Sequence, residues 1–204
     1  MCIRDRTRHR HAVGVLVALS AHVLRAAVCG WLLLPLAASA ARVDPASSQA
    51  AFAVRAHWGP RLQGRFTEID GALARLTNGR YRMQLHLAAA SLLIADSPRL
   101  TAMARGPRFF AVERHPDIDF DSDEFARDWL RQGGRLRGVL RLRGVQRVEH
   151  FLVAPATCAR PGVDCDVMAK GEIRRGDYGI GDWRSGLGQT VELSLRIRLQ
   201  DDGR

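Results

Sequence analysis

The stretch Gly133 to Val153, GGRLRGVLRLRGVQRVEHFLV, decides the fold class. Leu136, Gly138, Leu140 and Leu142 fall on one side of an extended chain, and Arg135, Arg137, Arg141 and Arg143 fall on the other. That period of two marks a strand with one buried face. Gly144 follows the last arginine, where freedom to take positive φ lets the chain reverse. Val145 to Val153 then resumes in β-branched and apolar residues, so the stretch reads as a β-hairpin.

Outward from this hairpin the same pattern recurs. Phe52, Val54 and Ala56 share a face within Gln49 to His57, and Trp58-Gly59-Pro60 breaks that strand. Gly64 to Arg75 reads as one strand carrying Phe66, Ile69 and Leu73, with a bulge near Gly71 where the alternation drifts. Asn78-Gly79 is a strong turn signal, and Tyr81, Met83, Leu85 and Leu87 alternate beyond it. Val167 to Arg175 and Gln189 to Leu199 supply the last strands. Ser97-Pro98 reads as the cap and first turn of a short helix over Leu100 to Arg105, the one helical insertion. About eight antiparallel strands, each apolar on one face, indicate an all-β barrel or sandwich around a single interior.

Ile118, Phe120 and Ser122 alternate with Asp117, Asp119, Asp121 and Asp123. The run DIDFDSDEF has the look of a calcium loop, but Ser122 stands where the sharp turn needs glycine and the closing bidentate glutamate is absent. Antiparallel pairing with Arg135 to Arg143 accounts for it better, since it sets an acidic stripe beside a basic one, about 0.2–1 kcal/mol per opposed pair. Arginines neutralised in this way are poor ligands for nucleic acid. The formal charge of +10 comes from 31 basic residues, of which only Lys170 is a lysine. An arginine excess of that kind fits a GC-rich coding bias.

At 204 residues, with 47% hydrophobic and 25% charged residues, the chain suffices for one well-buried domain. Its first 40 residues read as an export signal, with the start of translation left open. Arginines cluster at Arg4, Arg6, Arg8 and Arg10, apolar runs follow at Val13 to Leu19 and Val28 to Leu36, and Ala38-Ser39-Ala40 suits cleavage after Ala40. Neither run reaches the roughly 18 apolar residues of a membrane span. The mature domain, 41–204, is thus expected in the periplasm. It retains Cys158 and Cys165, which flank Pro161-Gly162 and read as a loop-closing disulfide in an oxidising compartment.

Four segments resemble the YceI-like family of exported lipid-binding proteins: VDPASSQAAFAVRAHWG (43–59) followed by GRF (64–66), GPRFFAVERHPDIDFDS (106–122), LRGVLRLRGVQRVEHFLV (136–153) and KGEIRRGDYGI (170–180). Their order and spacing cover nearly the whole mature chain. The resemblance implies an antiparallel, lipocalin-like β-barrel of eight strands around an elongated apolar cavity that holds a polyisoprenoid or quinone-like chain. The family often carries His-Ser after the opening aspartate, where this chain has Ser47-Ser48-Gln49. The family's Arg-Asp-x-His cluster aligns with Leu100, Thr101, Ala102 and Met103, which are mostly apolar.

The inward sets give the candidate ligand-binding residues: Phe52, Val54, Phe66, Met83, Leu85, Leu87, Met103, Phe109, Phe110, Phe120, Leu140, Leu142, Phe151 and Tyr178. All of them serve equally well as plain hydrophobic core. Met103, Phe109 and Phe110 stand out because the helical insertion is placed to cap one end, where a ligand enters. Asp177 is positioned for a local ion pair with Arg174-Arg175, and the glycines of 176–181 lack a phosphate-loop lysine.

No nucleophile elbow, zinc-protease helix or dinucleotide fingerprint occurs, and no catalytic or metal-ligating set emerges. The expected function is passive binding of an apolar amphiphile, a polyisoprenoid or quinone, with transient membrane contact, no enzymatic step and no nucleic acid. Oligomeric state is not encoded in any pattern. Two other readings stay open: a filled barrel acting as an envelope interaction module, and an enzyme or redox protein that uses histidines, from among His57, His86, His115 and His150, around a bound haem or quinone.

Overall fold

The structure, a computed structural model, describes residues 40–95, 97–181 and 186–201. The export signal read from the sequence lies outside these residues except for Ala40. Strands are β1 (Ala40–Arg42), β2 (Gln49–Ala56), β3 (Leu62–Phe66), β4 (Ile69–Arg75), β5 (Tyr81–Ala88), β6 (Leu92–Ile94), β7 (Asp117–Ser122), β8 (Gly134–Leu142), β9 (Val145–Val153), β10 (Val167–Arg174) and β11 (Leu187–Ile197). They form one antiparallel sheet in the order β1-β4-β5-β7-β8-β9-β10-β11-β2-β3-β6.

The order hides a closure. β4 lies near one end of that sequence of neighbours and β3 near the other, yet only Thr67 and Glu68 separate them along the chain. Leu62 to Arg75 is thus a bent strand belonging to both ends of the sheet, and it joins them into a barrel. With β3 and β4 taken together and the three-residue β1 and β6 set aside as rim additions, eight long strands remain. Eight is the number whose interior side chains fill or a single small ligand occupies.

The bend corrects one expectation. No bulge occurs at Gly71, because β4 runs beside β5 in unbroken register from Ile69↔Leu87 to Arg75↔Tyr81. The break comes instead at the corner, where buried Ser91 supplies what the ladder no longer can. Its carbonyl accepts from the Thr67 backbone N–H (3.3 Å) and its hydroxyl oxygen accepts from the Glu68 N–H (3.1 Å). Glycine is still required at 71 for space, since a Cβ there would lie 2.3 Å from the Gln84 carbonyl oxygen.

Alternation places the core as the sequence indicates. Phe52 and Val54, Phe66, Leu85, Ile118 and Phe120, Leu140 and Leu142, and Phe151 and Val153 are all buried and belong to one cluster. On the outer face the acidic and basic stripes meet only in part. Arg137 reaches Asp123 (2.8 Å) and Arg141 reaches Asp121 (2.9 Å). Asp119 and Asp117 turn the other way, to His86 on β5 (2.9 and 3.6 Å), because a strand inside a sheet has a neighbour on each side. Arg143 also leaves the stripe and donates to the carbonyls of Pro107 and Gly179.

Helix α1 (Pro98–Arg105) starts as read, with the Ser97 hydroxyl accepting from the Leu100 N–H (3.3 Å) and proline in the first turn. A one-turn helix, α2 (Trp129–Gln132), ends at Gly133 with φ 70°. Four residues carry too little periodicity for the sequence to reveal it.

Candidate ligand-binding interior

Three apolar voids lie one behind another inside the barrel. The largest, about 300 Å³, sits under α1 and is lined by Phe52, Val54, Leu62, Leu100, Met103, Ala104, Phe109, Phe110, Leu142, Ile173, Arg175, Val191 and their neighbours. Exposed Pro60 and half-buried Leu62, Leu100 and Met103 bring it to the surface, so this end is the mouth. A middle void of about 70 Å³ shares Phe52, Phe110, Leu142, Ile173 and Val191 with it. A basal void of about 60 Å³ shares Leu85, Phe120, Phe151 and Leu195 with the middle one.

Phenylalanines stand at both junctions. Phe52, Phe66 and Phe110 touch as a trio with centroids 5.9–6.1 Å apart. Phe120 and Phe151 meet edge to face at 4.9 Å. Phe52, Phe120 and Phe151 lie over glycines of the adjacent strand: a Cβ at Gly64, Gly138 or Gly171 would come within 2.4, 2.5 and 2.8 Å of their respective rings. Glycine here gives each ring a flat seat on the wall, an arrangement that also shields the glycine backbone.

Phe109 and Phe110 are aimed by the turn after α1. The Phe110 N–H donates to Ala104 (3.0 Å) and the Val112 N–H to Arg105 (3.1 Å). Between them buried Ala111 takes φ 50°. A non-glycine residue in that region costs of order 1–3 kcal/mol and persists because the surrounding hydrogen bonds over-determine it.

Of the residues named from sequence, thirteen line at least one void: Phe52, Val54, Met103, Phe109, Phe110 and Leu142 the mouth, Phe66, Leu85, Leu87, Phe120, Leu140 and Phe151 the middle, and Met83 the base. Tyr178 lines none of the three. It is fully buried, and its hydroxyl donates to Glu149 Oε1 (2.7 Å). The β9–β10 ladder stops after Gly171↔Phe151, and Tyr178 packs beside β9 beyond that point. Burial first, and then the Glu149 carboxylate beside it, push its phenol well above the ordinary tyrosine range.

Arg175 is the residue that sequence reasoning missed. It is 3% exposed and lines the mouth void, its guanidinium donating to the carbonyls of Gly188 (2.9 Å), Ile180 (2.9 Å) and Leu187 (3.1 Å). The signal was present. Ala169, Gly171 and Ile173 point inward on β10, and the alternation carries on to 175. The ion pair expected between Asp177 and this arginine pair goes instead to Arg147 (3.6 Å).

None of His57, His86, His115 and His150 lines a void. Among the described residues no group of three His, Cys, Asp or Glu is arranged to hold a metal ion. A broader, open concavity of about 1020 Å³ lies on the outer wall, with Arg61, Arg65, Arg105, Lys170 and Glu192 set among apolar residues.

The sequence matches the YceI-like domain over residues 42–199. The chain belongs to the YceI-like family. The fold agrees with two solved structures. BcnA of Burkholderia cenocepacia has a TM-score of 0.57 at 15% identity, covering 76% of this chain and 98% of that one. A polyisoprenoid binding domain from Saccharophagus degradans, implicated in plant cell wall breakdown, has a TM-score of 0.59 at 14% identity, covering 78% and 97%. No curated protein sequence matches this YceI-like chain. The disulfide between Cys158 and Cys165 closes its loop, with Cα atoms 6.0 Å apart.

Proposed function

We propose that this YceI-like protein is an exported, periplasmic binding protein that takes the apolar tail of an amphiphile, an isoprenoid or quinone in the first instance, into the void under α1. The observation that carries this reading is the void itself. Its volume of about 300 Å³ is at the lower end for small-molecule sites, its lining is apolar but for Arg175, and it reaches the surface beside one short helix. Uptake is passive, driven by about 25 cal/mol for each Å² of apolar surface removed from water. Membership of the YceI-like family and a fold shared with a polyisoprenoid binding domain support the ligand class.

Trp58, 92% exposed at the tip of the β2–β3 turn, supports loading from a bilayer. It lies two residues before Pro60 of the mouth lining, and tryptophan favours the membrane interface. The test is a titration of the protein from Ala41 onward with geraniol, compared with Met103→Arg, which sets a charge in the void. The expected result is at least a hundredfold loss of affinity with the circular dichroism spectrum unchanged. Equal binding by both proteins contradicts the site.

A further inference from the structure

The mouth void adjoins the middle void at Phe52, Phe66 and Phe110, each ring about 6 Å from the other two. Phe52 and Phe110 line the space on both sides of the contact, while Phe66 lines only the middle void. Phe52 is held to the wall over Gly64, with which it is paired in the sheet. Phe110 differs from its two partners, because it is carried by the turn after α1 and not by a strand, and it is half-buried where they are buried.

We propose that this trio is a length gate, with Phe110 as the residue that determines which chain lengths are accepted; the inference rests on the binding reading above. At the packing density of protein interiors, a void of about 300 Å³ accommodates on the order of a dozen carbon atoms. A tail of two isoprene units fills it. A third unit meets the rings and has to stay outside, so longer prenyl chains gain nothing from their added length. The ligand class is therefore a short-tailed amphiphile, and a long polyprenyl chain is held by its first units alone.

The experiment is a calorimetric series with prenyl alcohols of one to four isoprene units, on the wild-type protein, Phe110→Ala and Phe110→Leu. Each methylene buried strengthens binding about fourfold, so wild-type affinity climbs steeply from one unit to two and is level, within threefold, from two to four. Phe110→Ala joins the mouth and middle voids and moves the plateau out by one unit, with at least a tenfold gain for the three-unit alcohol. Phe110→Leu, which keeps an apolar group on the turn, gives a smaller gain in the same direction and serves if the alanine variant does not fold. Wild-type affinity that climbs unbroken through four units overturns the gate alone, as does a plateau that neither variant shifts. Failure of every alcohol to bind any of the proteins overturns the binding reading, and the gate with it.

Discussion

The two ends of the barrel are built on opposite principles. At the base, the loop from 154 to 166 is fastened by the disulfide, by Arg160 to Asp164 (2.7 Å) and Asp201 (3.4 Å), and by Arg198 to Asp166 (3.0 Å). The Gly162 carbonyl accepts from the Leu199 N–H (2.8 Å), and Pro161 and Gly162 close a void of only about 60 Å³. At the mouth, one short helix, a strained turn at Ala111 and the buried Arg175 enclose about 300 Å³. Covalent and ionic ties gather at the base, whereas the mouth is ordered around a cavity by hydrogen bonds.

The largest expected effect that sharpens this contrast is at the mouth. Arg175→Ala strips the donors from three backbone carbonyls, and at about 1–3 kcal/mol for each polar group left unsatisfied in a buried setting urea unfolding should register a loss of at least 3 kcal/mol. If it costs less than 1 kcal/mol, the arginine does not organise that end. At the base, Cys158→Ser with Cys165→Ser should lose about 2–3 kcal/mol, the value for closing so short a loop. Geraniol affinity should be unchanged, because the staple is remote from the void under α1. A fall in affinity alongside stability would mean that the two ends are coupled.

Tyr178 gives a pH-dependent test. Its phenol is raised in the folded protein by burial and by Glu149, while in the unfolded chain it ionises at its ordinary value of about 10. Its contribution is therefore complete below pH 10 and is lost as pH rises further, since there the unfolded state alone releases the proton. Denaturation curves from pH 8 to 11 should show stability falling above pH 10 in the wild type and less steeply in Tyr178→Phe. Parallel curves contradict the assignment. The smallest effect belongs to the outer wall, where Arg141→Gln removes a half-exposed pair with Asp121 and should cost under about 1 kcal/mol. A larger loss would give the charge stripes a weight in stability that solvated pairs do not have.

The fold was legible because each long strand writes its buried face at every second residue. Phe120 between its aspartates and Leu140 between its arginines needed no tertiary information. The corner at Thr67 and Glu68 was not legible, since the group that satisfies it is Ser91, more than twenty residues away. The acidic stripe was read as serving one neighbour because the sequence does not disclose that β5, with His86, lies on its other side. The void lining was visible as an inward set but not as a cavity. Whether apolar side chains meet or leave space depends on where Phe52, Phe66 and Phe110 come to rest, and Gly64 sets that position for Phe52. Tyr178 looked like an inward residue of the same set, and its role beside β9 follows from a ladder that stops short. Arg175 was hidden by its type, because an arginine next to another arginine reads as surface until the β10 alternation is carried one step past the strand.

The most direct test is native mass spectrometry, followed by organic extraction, of the protein purified after expression of the full 204-residue chain. The account predicts a co-purifying amphiphile with a single short apolar tail, removed by extraction and absent from Met103→Arg. A protein that emerges empty and does not take up added geraniol would contradict it, and would leave the barrel as a scaffold whose function lies on its outer surface.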